Sequence, residues 1–154
     1  MKNLKNINEF WGAVIRRDMS SAVREEDRFH NKEEIRDYLK KEVEKQGKNV
    51  VIKYLDVSGI EDLSSLFVNL LSDVETLDLS CWNTSGVEKV FGMFSCCRSL
   101  KSLNLSGWNP KKIKNIDWVF NNCHSLKSLN LFGCSSSIKS LVRKNGIDKD
   151  IVKV

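Results

Sequence analysis

The chain has 154 residues, 41% of them hydrophobic and 29% charged, with a formal net charge of +5. That size and balance fit one globular domain, so disorder is not the default. No run approaches the roughly 18 apolar residues that a membrane span needs. Asn6, Asn8, Glu9, Arg16, Arg17 and Asp18 also interrupt any apolar core of a signal peptide. The expectation is a cytoplasmic protein as the chain is written, or a cell-surface one if it is a piece of something longer. Five cysteines (Cys81, Cys96, Cys97, Cys123, Cys134) are an odd set without paired spacing, which points to reduced thiols rather than a disulfide framework.

In chain order, Ile7, Phe10, Trp11, Val14 and Ile15 form one apolar stripe at helical spacing. Residues 18–30 read as a charged loop with a helical turn near 22–28. Asn31 with Glu34 starts a second helix as a capping box, Ile35, Tyr38, Leu39 and Val43 line its apolar face, and Gly47 ends it. Strands are expected at 51–57, 74–79, 100–105 and 126–131. A short amphipathic helix on Ile138, Leu141 and Val142 follows, ending near Gly146, and then an apolar tail.

The strands belong to a repeat. Leu77-Asp78-Leu79-Ser80-Cys81-Trp82-Asn83 returns 26 residues later as Leu103-Asn104-Leu105-Ser106-Gly107-Trp108-Asn109, and begins again at Leu129-Asn130-Leu131. Met93-Phe94-x-x-Cys97-x-x-Leu100 returns as Val119-Phe120-x-x-Cys123-x-x-Leu126. A period of this length is the mark of a solenoid. Ile52-x-x-Leu55-x-Val57-Ser58 reads as the first copy, with the Trp-Asn segment missing and one extra residue between Phe67 and Val74. Alternation puts Leu77, Leu79 and their equivalents inside, and a line of Asp56, Asp78, Asn104 and Asn130 outside. In one unit the inward set is Leu77, Leu79, Trp82, Val87, Val90, Met93, Phe94, Cys97 and Leu100. One such unit cannot offset its own ordering entropy, so units must stack and be capped at both ends. The fold expected is an α/β solenoid in a single domain, with an N-terminal helical cap (1–49), the repeat array (50–134) and a short helical C-terminal cap (135–154).

Leu-Asp-Leu-Ser-x-Trp-Asn-Thr-Ser-x-Val at 77–87, followed by Met93-Phe94-x-x-Cys97-x-x-Leu100, resembles the 26-residue repeat of bacterial leucine-rich-repeat surface proteins, the BspA-like group. The match covers roughly residues 31–134, and the helix before the array is similar too. The resemblance implies a right-handed leucine-rich-repeat array with parallel strands, and a surface protein that binds proteins or host components and is not an enzyme. This chain departs from the pattern in having few repeats and in carrying Pro110, Lys111 and Lys112 where Thr84 and Ser85 stood.

No residue set points to catalysis, a metal or a cofactor. Cys97 and Cys123 share a repeat position and read as stacked core thiols, and Cys96-Cys97 and Cys123-His124 lack the Cys-x-x-Cys spacing of a zinc site. Trp82 and Trp108 read as core residues, with Asn83 and Asn109 bracing loops. The basic excess lies late: residues 101–154 carry 10 Lys/Arg against 3 Asp/Glu. Partner contacts are therefore expected at Lys101, Lys111, Lys112, Lys114, Lys127, Lys139, Arg143 and Lys144, with Asp78, Asn104 and Asn130 on the strand face. The partner expected is a protein, with an acidic surface or a nucleic-acid-bound protein as the kind that basic end would fit, and no small-molecule substrate. The second reading is an intracellular inhibitor of phage anti-defence type that blocks a nucleic-acid-handling partner. No exposed aromatic is expected among the lysines.

Overall fold

A computed structural model of the chain describes residues 29–154. The expected helix at 7–15 and turn at 22–28 lie outside the described residues. Helix α1 spans Lys32–Gln46 and starts as its sequence dictates. Asn31 Oδ1 accepts from Glu34 N–H at 2.9 Å, and Glu34 reaches back to His30 N–H at 3.1 Å. Gly47 ends it with φ 70° and its N–H on Val43 carbonyl, the left-handed stop that glycine adopts freely.

Four short parallel strands follow: β1 (Asn49–Val51), β2 (Thr76–Asp78), β3 (Ser102–Asn104) and β4 (Ser128–Asn130). Helix α2 (Ser136–Lys144), a 3₁₀ turn (Lys149–Ile151) and β5 (Val152–Lys153) complete the chain. The sheet is open, all-parallel and in sequence order, β1-β2-β3-β4-β5, which is the layout of an α/β solenoid. The fifth strand was not expected: Val152 and Lys153 of the apolar tail pair with Leu129 and Asn130.

β2, β3 and β4 are three residues long, not six, because an Asp or Asn side chain at the last position closes each one. The last residue of the strand accepts the N–H two positions on: Asp78 from Ser80 at 2.9 Å, Asn104 from Ser106 at 3.0 Å, Asn130 from Phe132 at 3.0 Å. This Asx-type turn leads into a left-handed residue, with Cys81, Gly107 and Gly133 at φ 60°, 81° and 70°. Two further left-handed corners recur in each coil, at Ser65, Gly92 and Trp118 and at Asn69, Cys96 and Asn122.

The first coil corrects the expected alignment. Val50, not Leu55, lies opposite Leu77, and Asn49 lies opposite Thr76, 27 residues on. Leu55 and Asp56 thus fill the places of Trp82 and Asn83, and a bridge joins Asp56 to Asn83. No segment is missing, and the extra residue before Val74 makes the period 27 instead of 26. Asp56 consequently leaves the outward line of Asp78, Asn104 and Asn130. It is 8% exposed, and Val51 stands in that line at 48%.

Inside, the repeat stacks like on like. The nine expected inward residues of the second coil are all 0–2% exposed. Phe67, Phe94 and Phe120 stack at 5.1 and 5.8 Å between centroids, and Trp82 on Trp108 at 5.6 Å. Trp82 Nε1 donates to Ile52 carbonyl at 2.6 Å, and Trp108 Nε1 to Leu79 carbonyl at 2.7 Å. One coil on, Cys134 takes the Trp position, its thiol donating to Leu105 carbonyl at 3.0 Å. Cys97 is buried and Cys123 half-buried. The Cys97 thiol, hydrogen-bonded to Cys123 and desolvated, is held above its ordinary value.

Each end of the stack is closed by side chains that imitate a further coil. At the first, Ile35, Tyr38 and Leu39 of α1 cover the core. Arg36 there donates to Leu66 and Val68 carbonyls at 2.6 and 2.7 Å, and Gln46 pairs with both backbone groups of Val51. At the other, Ile138, Leu141 and Val142 of α2 are buried. Asn145 donates to Ile116 carbonyl at 2.7 Å and accepts from Val119 N–H at 3.0 Å. Buried backbone groups need such partners.

Two substitutions test this packing. A Cβ on Gly86 would sit 1.9 Å from Ser58 carbonyl oxygen, so Gly86→Ala is expected to lower stability by about 1–3 kcal/mol, read as a lower urea midpoint with unchanged slope. Trp108→Phe leaves Leu79 carbonyl without its donor and is expected to cost about 1–3 kcal/mol in the same assay.

Candidate functional site

Five of the residues expected to meet a partner are already engaged within the fold. Asn104 and Asn130 close their strands. Asp78 does the same and also pairs with Lys53 Nζ at 3.2 Å. Burial opposes its ionisation, but the bonds from Ser80 and Lys53 outweigh it and hold the carboxyl below its ordinary value. Lys101 and Lys48 flank Glu75 at 2.6 and 3.2 Å, in a column that continues to Lys127. Lys114 pairs with Glu88. A turn-closing carboxylate and a partner-binding one look alike in sequence, so nothing in the pattern separated them.

The other six (Lys111, Lys112, Lys127, Lys139, Arg143 and Lys144) form no ion pair among the described residues. Lys111 and Lys112 stand in the places of Ser85 and Gly86. At Gly86 two coils approach so closely that no side chain fits, so a lysine at that place keeps the third coil from approaching the second in the same way. The ladder changes accordingly. Pro110 has no N–H to give, and Asn109 N–H donates to Thr84 Oγ1 at 3.0 Å. Asn83 braces its loop by accepting from Ser85 N–H at 3.4 Å, whereas Asn109, beside the altered loop, makes no such bond.

The structure brings Lys139 and Arg143 together, one turn apart on α2, and adds Lys149 from the 3₁₀ turn. The three surround a groove of about 780 Å³ lined also by Leu131, Val142, Ile147, Val152 and Val154. Among the described residues no Asp or Glu side chain lines it. Val154 is 72% exposed, and β5 is the outermost strand of the sheet. Lys149 and the apolar floor escaped the sequence reading because the fifth strand, which places them, carries no Leu-x-Leu motif.

A second, more polar cleft of about 440 Å³ lies between the third coil and the end of α2, lined by Trp118, Asp117, Asn121, Asn122, His124 and Lys144 among others. Trp118 and Phe132 are exposed, which corrects the expectation that no exposed aromatic lies among the lysines. Trp118 was legible as a departure from the repeat, since Gly92 and Ser65 hold its place in the earlier coils. Among the described residues no group of three or more His, Cys, Asp or Glu side chains could hold a metal ion. No described helix is long and apolar enough to cross a membrane.

Comparison with known proteins gives one family. The family described as Mycoplasma protein of unknown function, DUF285, matches residues 17–142, and the chain belongs to it. Neither the curated proteins nor the solved structures contain a match.

Asp78→Asn tests the engaged reading of the strand face. The side-chain oxygen that closes the turn is kept, as in Asn104 and Asn130, while the ion pair with Lys53 is lost. Because the Asp78 pKa is lowered on folding, its contribution is full above about pH 4 and is lost as pH falls through the folded value. Stability of the variant is therefore expected to fall less steeply than that of the parent across the acid range, measured as urea midpoints from neutral pH downward.

Proposed function

We propose that this DUF285 chain is a non-enzymatic protein-binding module of right-handed leucine-rich-repeat type, akin to the BspA-like surface repeats, whose basic C-terminal end holds an acidic segment of a partner protein. The coils are the scaffold, and their repeated residues are spent on core and turns. The observation that carries the reading is the groove between α2 and β5. Five apolar residues form its floor, Lys139, Arg143 and Lys149 ring it, and no Asp or Glu side chain among the described residues lines it. Leu131 and Val142 are buried at its bottom, Ile147 and Val152 are half-buried and Val154 is exposed. Partly exposed apolar surface with a rim of one sign marks an interaction site. An acidic segment with interspersed apolar side chains matches both features.

The expected partner chemistry sets the assay. A fluorescently labelled peptide alternating Glu and Leu should bind, with affinity falling as salt is raised, and a Lys-Leu peptide should not. Reversing Lys139, Arg143 and Lys149 to Glu is expected to weaken the acidic peptide by roughly tenfold or more, with thermal unfolding unchanged. Equal binding of the acidic and basic peptides, or by the parent and the triple variant, would overturn the reading.

A further inference from the structure

The corner of each coil at Ser65, Gly92 and Trp118 is left-handed, at φ 57°, 58° and 62°. Glycine and small polar residues take this conformation at low cost, whereas a bulky aromatic is strained in it. Trp118 is also 60% exposed, while Trp82 and Trp108 are 1% and 2% exposed. It therefore gains neither a relaxed backbone nor full burial. An exposed indole held at such expense in the wall of a cleft is a feature of ligand sites.

We propose that the cleft walled by Trp118 binds a saccharide, with a pyranose ring stacked on the indole. The cleft, at about 440 Å³, lies within the roughly 300–1,000 Å³ of small-ligand sites. It is preformed. Asn145 at its base is fixed by bonds to Ile116 and Leu141 carbonyls and from Val119 N–H, and Phe120 beneath it is stacked on Phe94. The rim decides the ligand class. Asp117 can only accept, Lys144 can only donate, and the amides of Asn121 and Asn122 do both. Sugar hydroxyls donate and accept, so they satisfy such a mixed rim, and the C–H face of the ring supplies the apolar contact for Trp118. A phosphate offers acceptors alone and would meet the Asp117 carboxylate. A nucleic-acid channel would instead carry an unbroken basic lining. This site stands apart from the apolar groove at the C-terminal end, meeting it only at Ile147, and does not depend on what that groove binds.

The test uses the full chain on an array of immobilised oligosaccharides, followed by fluorescence titration with the saccharide retained. Saturable binding is expected, with a change in tryptophan emission. Trp118→Gly places at 118 the residue found one coil earlier, so it is expected to unfold at the same temperature as the parent or higher. Its saccharide affinity should be weaker by roughly tenfold or more, and Lys144→Met should weaken it several-fold. A blank array, retention that Trp118→Gly leaves unchanged, or preference for single-stranded oligothymidine over every saccharide would overturn the proposal.

Discussion

The structure depends on hydrogen bonding between successive coils in register. Leu79 N–H donates to Asn104 carbonyl, Leu105 N–H to Asn130 carbonyl, and Leu131 N–H to Lys153 carbonyl, at 2.9, 3.0 and 2.7 Å. Each coil satisfies its neighbour's backbone and has little structure to satisfy its own, so no coil is complete alone. The same register brings identical positions together and converts a sequence period into columns of side chains: phenylalanine on phenylalanine, tryptophan on tryptophan. It also creates two open ends, and the caps answer them with single side chains. Arg36 and Gln46 take backbone groups at the first end, and Asn145 at the last. β5 continues the ladder for one more strand.

Much of this was legible in the residues. The 26-residue period, the Asn31 cap and Gly47 stop of α1, the inward leucines and the span of α2 all follow from local patterns that admit one physical reading. The first coil did not, because Val50 replaces leucine, Leu55 replaces tryptophan, and one added residue shifts the count. Leu55-x-Val57-Ser58 then imitates the motif five residues too late. The pairing of Val50 with Leu77, the Asp56–Asn83 bridge and the hydrogen bonds from Ile52 and Tyr54 to Asp78 and Ser80 carbonyls separate the two alignments. The fifth strand was hidden for a different reason. Val152–Lys153 is set down by α2 and the turn before it, and it lies 23 residues from its partner, outside the period.

The candidate site was half legible. A sequence shows where lysines cluster, but not which of them are neutralised. Glu75 and Glu88 take up Lys101 and Lys114, while Lys139, Arg143 and Lys149 gather around apolar residues with no Asp or Glu side chain among the described lining residues. What repeats in this protein is structural, down to the outward Asp78, Asn104 and Asn130 that close their strands. Three of the residues that fail to repeat are exposed. Lys112 stands where Gly86 lets two coils touch, Trp118 where Gly92 turns a corner, and Phe132 where Ser106 turns another. Those positions give up local stability or solubility and gain surface chemistry in return.

The account rests on every coil, including the first, stacking in one register, because that alignment leaves the C-terminal end as the place where apolar surface meets cations with no ion pair among the described residues. Interstrand proton–proton contacts in solution by nuclear magnetic resonance test it most directly. Backbone contacts joining Val50 to Leu77, Leu77 to Leu103, and Leu129 to Val152 are the predicted result. Contacts joining Leu55 to Leu77 instead would contradict it.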